Sequence, residues 1–92
     1  MMKLNLSKIP EYMHEAIQEY VDHGRPIGSF LRAILCNNLV DAAAHADINN
    51  KLCLFEYASL LYNEIPGAAW GDKETVDRWV KAGGMDQYTK EQ

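Results

Sequence analysis

Ser29-Phe30-Leu31-Arg32-Ala33-Ile34-Leu35-Cys36 reads as a segment that organises the others into one core, since a single charged residue, Arg32, interrupts its apolar run. Placed on a helix it is apolar on almost every side, and it shows none of the period-two alternation of a half-buried strand. A helix of that kind needs covering from more than one direction, so the rest of the chain is expected to wrap it. Gly24-Arg25-Pro26-Ile27-Gly28 before it reads as a turn, and the Ser29 hydroxyl is a candidate cap for the first free N–H groups. After it, Asn37-Asn38 is expected to loosen or kink the helix, because Asn competes for backbone hydrogen bonds. The pattern resumes through Leu39, Val40 and the alanines to Ala46, which predicts a helix over 29–46.

Working outward, Asp47 is a natural cap for a helix over 48–64, with Leu52, Cys53, Leu54, Phe55, Tyr57, Leu60 and Leu61 spread around it and Pro66 stopping it. On the other side, Pro10 suits the opening turn and Gly24 the end of a helix over 10–23. There Ile9, Met13, Ala16, Ile17 and Tyr20 share one face, and Glu11, Glu15, Glu19 and Asp22 form an acidic ridge expected to face solvent. Asp72 caps a short helix over 73–82, with Val76, Trp79 and Val80 inward and Gly83-Gly84 closing it. Residues 9–84 read as the ordered core and the polar residues 85–92 as a frayed tail. The expected fold is all-α, a small compact bundle of about four helices in one domain.

Composition narrows the function classes. Ninety-two residues build one core, and 48 % hydrophobic with 24 % charged residues is ordinary globular composition. Nine Lys plus Arg against thirteen Asp plus Glu leave a net charge of −4, which argues against a broad electrostatic grip on nucleic acid or an anionic membrane. Cys36 and Cys53 sit alone in apolar stretches, as in a reduced cytoplasmic chain. No apolar stretch is long enough to span a bilayer, and Met1, Met2 and Lys3 lead into mixed polar residues without a signal-peptide core.

The chemistry-bearing residues are few. His14, His23 and His45 lack the three- or four-residue spacing that puts two ligands on one helix face, so neither metal nor another cofactor is expected. Nothing near Cys36 or Cys53 in sequence would lower a thiol pKa, and no phosphate loop or nucleophile elbow occurs, so the chain reads as a non-enzyme. The turn from Arg25 to Arg32 is the candidate anion site: Gly28 and Ser29 offer N–H groups at a helix start, flanked by two of the three arginines. Its plain alternative is an ordinary helix start with Arg32 paired to a carboxylate. Asn37, Asp41 and His45, with Asn38 beside them, form a polar strip that is either the wet side of a helix or a recognition surface. Tyr62 could stack on a base, and so could Trp70; alternatively Trp70 covers the core with its indole N–H on a backbone carbonyl.

The strings Ile9-Pro10-Glu11-Tyr12-Met13, Gly24-Arg25-Pro26-Ile27-Gly28-Ser29-Phe30-Leu31, Asn38-Leu39 with Ala46-Asp47, Leu61-Tyr62-Asn63-Glu64-Ile65-Pro66, and Trp70-Gly71 followed by Val76 and Trp79 together resemble small proteins encoded by bacteriophages and prophages. The resemblance spans 9–84. It implies a protein that works by binding in the bacterial host: blocking a defence system, sequestering a nucleotide signal or modulating a host enzyme. Two functions are then expected to compete. One is sequestration of a phosphorylated nucleotide in pockets built between copies, with Arg25, Gly28, Ser29 and Arg32 on phosphate, Tyr62 or Trp70 on a base, and Asn37 and Asn38 as further polar contacts. The other is masking of a host protein or nucleic-acid-binding complex by the acidic helix. A homo-oligomer is expected, because two helices apolar on several faces exceed what two short amphipathic ones can cover.

Overall fold

The computed structural model describes residues 2–90, with side chains as far as Gln87, and contains helices but no strand among them. A single 3-10 turn at Glu11–Met13 enters α1 (His14–His23). Then follow α2 (Ser29–Leu35), α3 (Leu39–His45), α4 (Ile48–Lys51) and α5 (Leu54–Asn63). A second 3-10 turn at Gly67–Ala69 leads to α6 (Lys73–Ala82) and α7 (Gly84–Lys90). The all-α expectation is met, whereas the count of about four helices falls short of these seven.

Two expected helices each divide in two, and local chemistry explains both breaks. In 29–46, Asn37 adopts the left-handed conformation at φ +61°. Asn38 then starts α3 afresh, its side-chain oxygen accepting from the Asp41 N–H at 3.2 Å. In 48–64, the Asp47 carboxylate accepts from the Asn50 N–H at 2.8 Å and opens α4, which stops after Lys51. Asn50 is buried, and its side-chain oxygen accepts from the Tyr57 hydroxyl at 2.7 Å. The break at Leu52 and Cys53 turns Asn50 under Tyr57.

The core is a single cluster built around α2, whose Phe30, Leu31, Ala33, Ile34 and Leu35 are all buried. α2 packs most extensively on α3 and also meets α5 and α6. Phe30 meets Tyr57 edge to face, with centroids 5.1 Å apart. Tyr20 of α1 donates its hydroxyl to the Ala69 carbonyl at 2.6 Å, and Trp79 of α6 donates its indole N–H to the Tyr20 carbonyl at 2.9 Å. Burial pushes the Tyr20 and Tyr57 hydroxyls upward from the usual tyrosine range. The indole-to-carbonyl role expected of Trp70 thus belongs to Trp79, while Trp70 lies half-buried at the edge of the core.

Residues 2–9 form an irregular strap that buries Leu6 and Ile9. The Met2 N–H donates to Asp22 at 2.9 Å, Gln18 donates to the Met2 carbonyl at 2.7 Å, and the Asn5 N–H donates to Glu64 at 2.9 Å. This corrects the acidic ridge: Asp22 is buried beneath the strap, where the Met2 N–H and the Gln18 amide satisfy it. Ala16, expected inward, is exposed. In the segment expected as a frayed tail, the chain is helical as far as Lys90, with 91–92 outside the described residues. Gly83 and Gly84, at φ +89° and +78°, turn the chain so that α7 lies along α1, and a Cβ on Gly84 would stand 2.4 Å from the Gly24 nitrogen. His23 and Asp86 approach to 3.2 Å across this contact. No helix among the described residues is long and apolar enough to cross a membrane.

Candidate functional site

The two arginines of the expected anion site go separate ways. Arg25, largely exposed, faces Glu19 at 3.5 Å. Arg32 donates to Asp77 of α6 at 2.6 Å, a charge-assisted bond that raises the guanidinium pKa further. Gly28 occupies the position before α2, and no side chain caps that helix, so the Ser29 hydroxyl is left for other partners. With only seven residues in α2, the helix end by itself is a weak anion site; nearby side chains must carry one.

Those side chains line a groove of about 320 Å³ where α2, α3 and α6 meet. Ser29, Arg32, Ala33 and Cys36 form one wall, Asn38, Asp41 and His45 another, and Lys73 stands at the start of α6. The left-handed Asn37 makes this possible, since it folds α3 back against α2 and brings the polar strip over the Ser29 to Arg32 wall. Asn38 and Asp41 hold each other: the Asn38 amide donates to the carboxylate at 3.0 Å while its oxygen takes the Asp41 N–H. The His45 ring donates from Nδ1 to the Asp41 carbonyl at 3.0 Å, which leaves Nε2 for another partner. Burial pushes the Cys36 thiol up, away from the thiolate form.

Arg32 and Lys73 therefore place two cations beside a hydroxyl, an amide and an imidazole, with Asp41 as the acceptor on the groove wall and Asp77 steadying Arg32. The volume lies at the lower end of the range for small-molecule sites. Ser29 and Arg32 of the turn line this groove, and so do Asn38, Asp41 and His45 of the polar strip, two sets that the sequence offered as separate candidates. Gly28 adjoins the groove in sequence and Asn37 shapes it from the turn. Arg25, Tyr62 and Trp70 do not line it. Lys73 was missed, although its place just after the Asp72 cap marks it as the first residue of a helix.

The other expected surfaces also change. Tyr62 stands outward on α5, 84 % exposed. Of the acidic ridge, Glu11 and Glu15 remain in solvent, Glu19 faces Arg25, and Asp22 is lost to the interior. No group of three or more His, Cys, Asp or Glu side chains that could hold a metal occurs among the described residues. No family model matches the chain, and no curated protein or solved structure matches it either.

Proposed function

We propose that the protein is a phage-type accessory protein of the host cytoplasm that acts stoichiometrically against host defence by sequestering a phosphorylated nucleotide signal. The observation that carries this reading is the groove, which both Arg32 and Lys73 line in a chain whose overall charge is −4. An acidic protein repels anions at long range, so capture of a phosphate would rest on direct bonds from Arg32 and Lys73, against Asp41 and Asp77 close by. Arg32, oriented by Asp77, presents its remaining donors to phosphate oxygens, and Lys73 adds a point charge. Ser29 and Asn38 offer neutral hydrogen bonds, and Asp41 suits a ribose hydroxyl or a base amino group. Binding alone is the activity; no catalytic group or cofactor is required. Since Tyr62 and Trp70 lie away from the groove, a stacking face is assigned to the exposed Tyr62 of a second copy, in keeping with a homo-oligomer.

Thermal unfolding with a panel of cyclic and linear nucleotides tests this, because a ligand that binds only the native state raises the melting temperature. A shift with one nucleotide is expected, and Arg32→Ala or Lys73→Ala should each weaken binding by about 1.5 to 3 kcal/mol, the scale of a hydrogen bond to a charged group. No shift with any nucleotide would overturn the reading in favour of masking a host protein. That alternative now rests on fewer acidic side chains, and its better support is the exposed apolar surface of α3 to α5.

A further inference from the structure

Between the strap and α4–α5 runs a trough made of two adjoining cavities, about 240 and 410 Å³, that share Ser7, Lys8 and Ile9. Its floor holds the buried Ile9 and Leu60, and its rim carries Leu52 and Phe55, 76 % and 80 % exposed. Asn5, Ser59, Asn63 and Glu64 make much of the first cavity's wall polar. Ile48 of α4 stands one turn before Leu52, and Tyr62 two turns after Phe55 on α5, so exposed apolar residues flank the trough on both helices. Isolated surface leucines need no explanation, but bulky apolar side chains on the rim of a hollow do.

We infer that this trough is an isologous docking face for a second copy of the same chain. Phe55 and Leu52 of each copy fill the trough of the other, and Lys8 of each copy meets Glu56 of the other. The proposal deepens the assembly half of the function proposed above and rests on it. Charge selects the occupant. Lys8 and Glu56 both line the trough, carry opposite signs, and form no ion pair among the described residues. A two-fold axis places each residue against the surface that its own copy presents, so the pair forms twice, once on each side of the axis. A second copy therefore brings, in one step, the aromatic knob, the hollow and both missing counter-charges. Phe55, at about 150 to 250 Å² when fully buried, together with Ile48 and Leu52, supplies about half of the roughly 800 Å² that a stable pair buries on each side, and Tyr62 stays outside the contact.

The test is sedimentation of the full chain and its variants at micromolar concentration, with circular dichroism confirming the helical fold. The wild type should run above 10.4 kDa, and Phe55→Glu, made at an exposed position, should weaken association at least about tenfold. Lys8→Glu and Glu56→Lys should each weaken it, and the double reversal should restore it, which a merely apolar contact would not do. A monomeric wild type, a Phe55→Glu variant of unchanged mass, or single reversals without effect or without rescue would overturn the proposal. None of these substitutions lies in the groove of Arg32 and Lys73. Nucleotide-induced stabilisation that persists in a monomer therefore counts against this pairing and not against capture.

Discussion

At the α1–α6–α7 end, Tyr20, Val21, Val76 and Trp79 are all but sealed from solvent, and backbones approach so closely at Gly24 and Gly84 that no Cβ fits between them. Along α3 to α5, by contrast, Leu39, Val40, Ile48, Leu52, Phe55 and Tyr62 keep 68 to 84 % of their surface exposed. Hydrophobic burial and packing have gone as far as they can at the first end, which needs nothing further from solution. The second side is built by α3, α4 and α5, set apart by the breaks at Asn37 and at Leu52–Cys53, and its apolar residues lie on more faces than the neighbouring helices cover. What differs is composition and the room between backbones more than helix length, since α5 has ten residues like α1 and α6 but is apolar around more of its circumference.

The hardest blow to the sealed end is Gly84→Ala. The new methyl would sit 2.4 Å from the Gly24 nitrogen and 2.5 Å from the His23 nitrogen, at a φ of +78° that side chains rarely adopt. Left-handed strain and overpacking together should cost about 3 to 5 kcal/mol, a large share of what a domain this size has. Denaturant unfolding measures it, and a loss under about 1 kcal/mol would mean that α7 detaches easily from α1. Gly28→Ala is the internal control, since nothing lies within 4 Å of its Cβ position. On the open side, Phe55→Ser should change the stability of the isolated chain by no more than about 0.5 kcal/mol.

A smaller effect is expected where the two regions join. Tyr57→Phe keeps the ring against Phe30 but strands the buried Asn50 oxygen that its hydroxyl served, at about 1 to 3 kcal/mol. If the variant is as stable as the parent, the break between α4 and α5 is not held by this bond. Asn50→Leu in addition should recover part of the loss, because the pair is then removed together.

Much of this was readable beforehand, and the parts that were not share a cause. The end of α1, the start of α2 and both ends of α6 follow from Gly24, Gly28, Asp72 and Gly83, whose backbone preferences act within a few residues. The break at Asn37-Asn38 could be suspected because Asn tolerates the left-handed region. The break at Leu52–Cys53 could not, since it depends on Tyr57 reaching back to Asn50 once the core is packed. Asp22 read as solvent-facing because the strap that covers it lies twenty residues away and has no periodic pattern. At the candidate site, Ser29 and Arg32 were found through their turn, and Asp41 and His45 through helical spacing. That these two sets share one groove with Lys73 is a tertiary fact with no local signature. Arg25 misled for the converse reason: closeness in sequence to Arg32 did not survive the direction of the turn.

The mildest prediction separates the two regions by pH. Asp47 caps α4 and accepts from the Tyr12 hydroxyl at 2.6 Å, and that bond, followed by the Asn50 N–H, holds its carboxyl below the ordinary value of 3.8. A carboxyl depressed in the folded state stabilises fully above its unfolded value and loses that contribution as the pH falls through the folded one. α4 should therefore loosen below about pH 4, whereas the Tyr20–Ala69 and Trp79–Tyr20 bonds involve groups that do not titrate in acid. Amide exchange read in this range should rise first at Asn50, ahead of the α6 amides around Trp79. Asp47→Asn keeps a capping oxygen for the Asn50 N–H but sets an amide donor where Oδ2 accepts from Tyr12, so that bond must reverse; at neutral pH part of the stability is lost, and the acid loss at Asn50 should flatten. What acid slope remains belongs in part to Asp72, which is also depressed by its bonds to Thr75 at the start of α6. If Asn50 and Trp79 exchange in step through acid in the parent chain, the two regions open as one unit, and the exposed apolar side is then a surface feature of a single cooperative body.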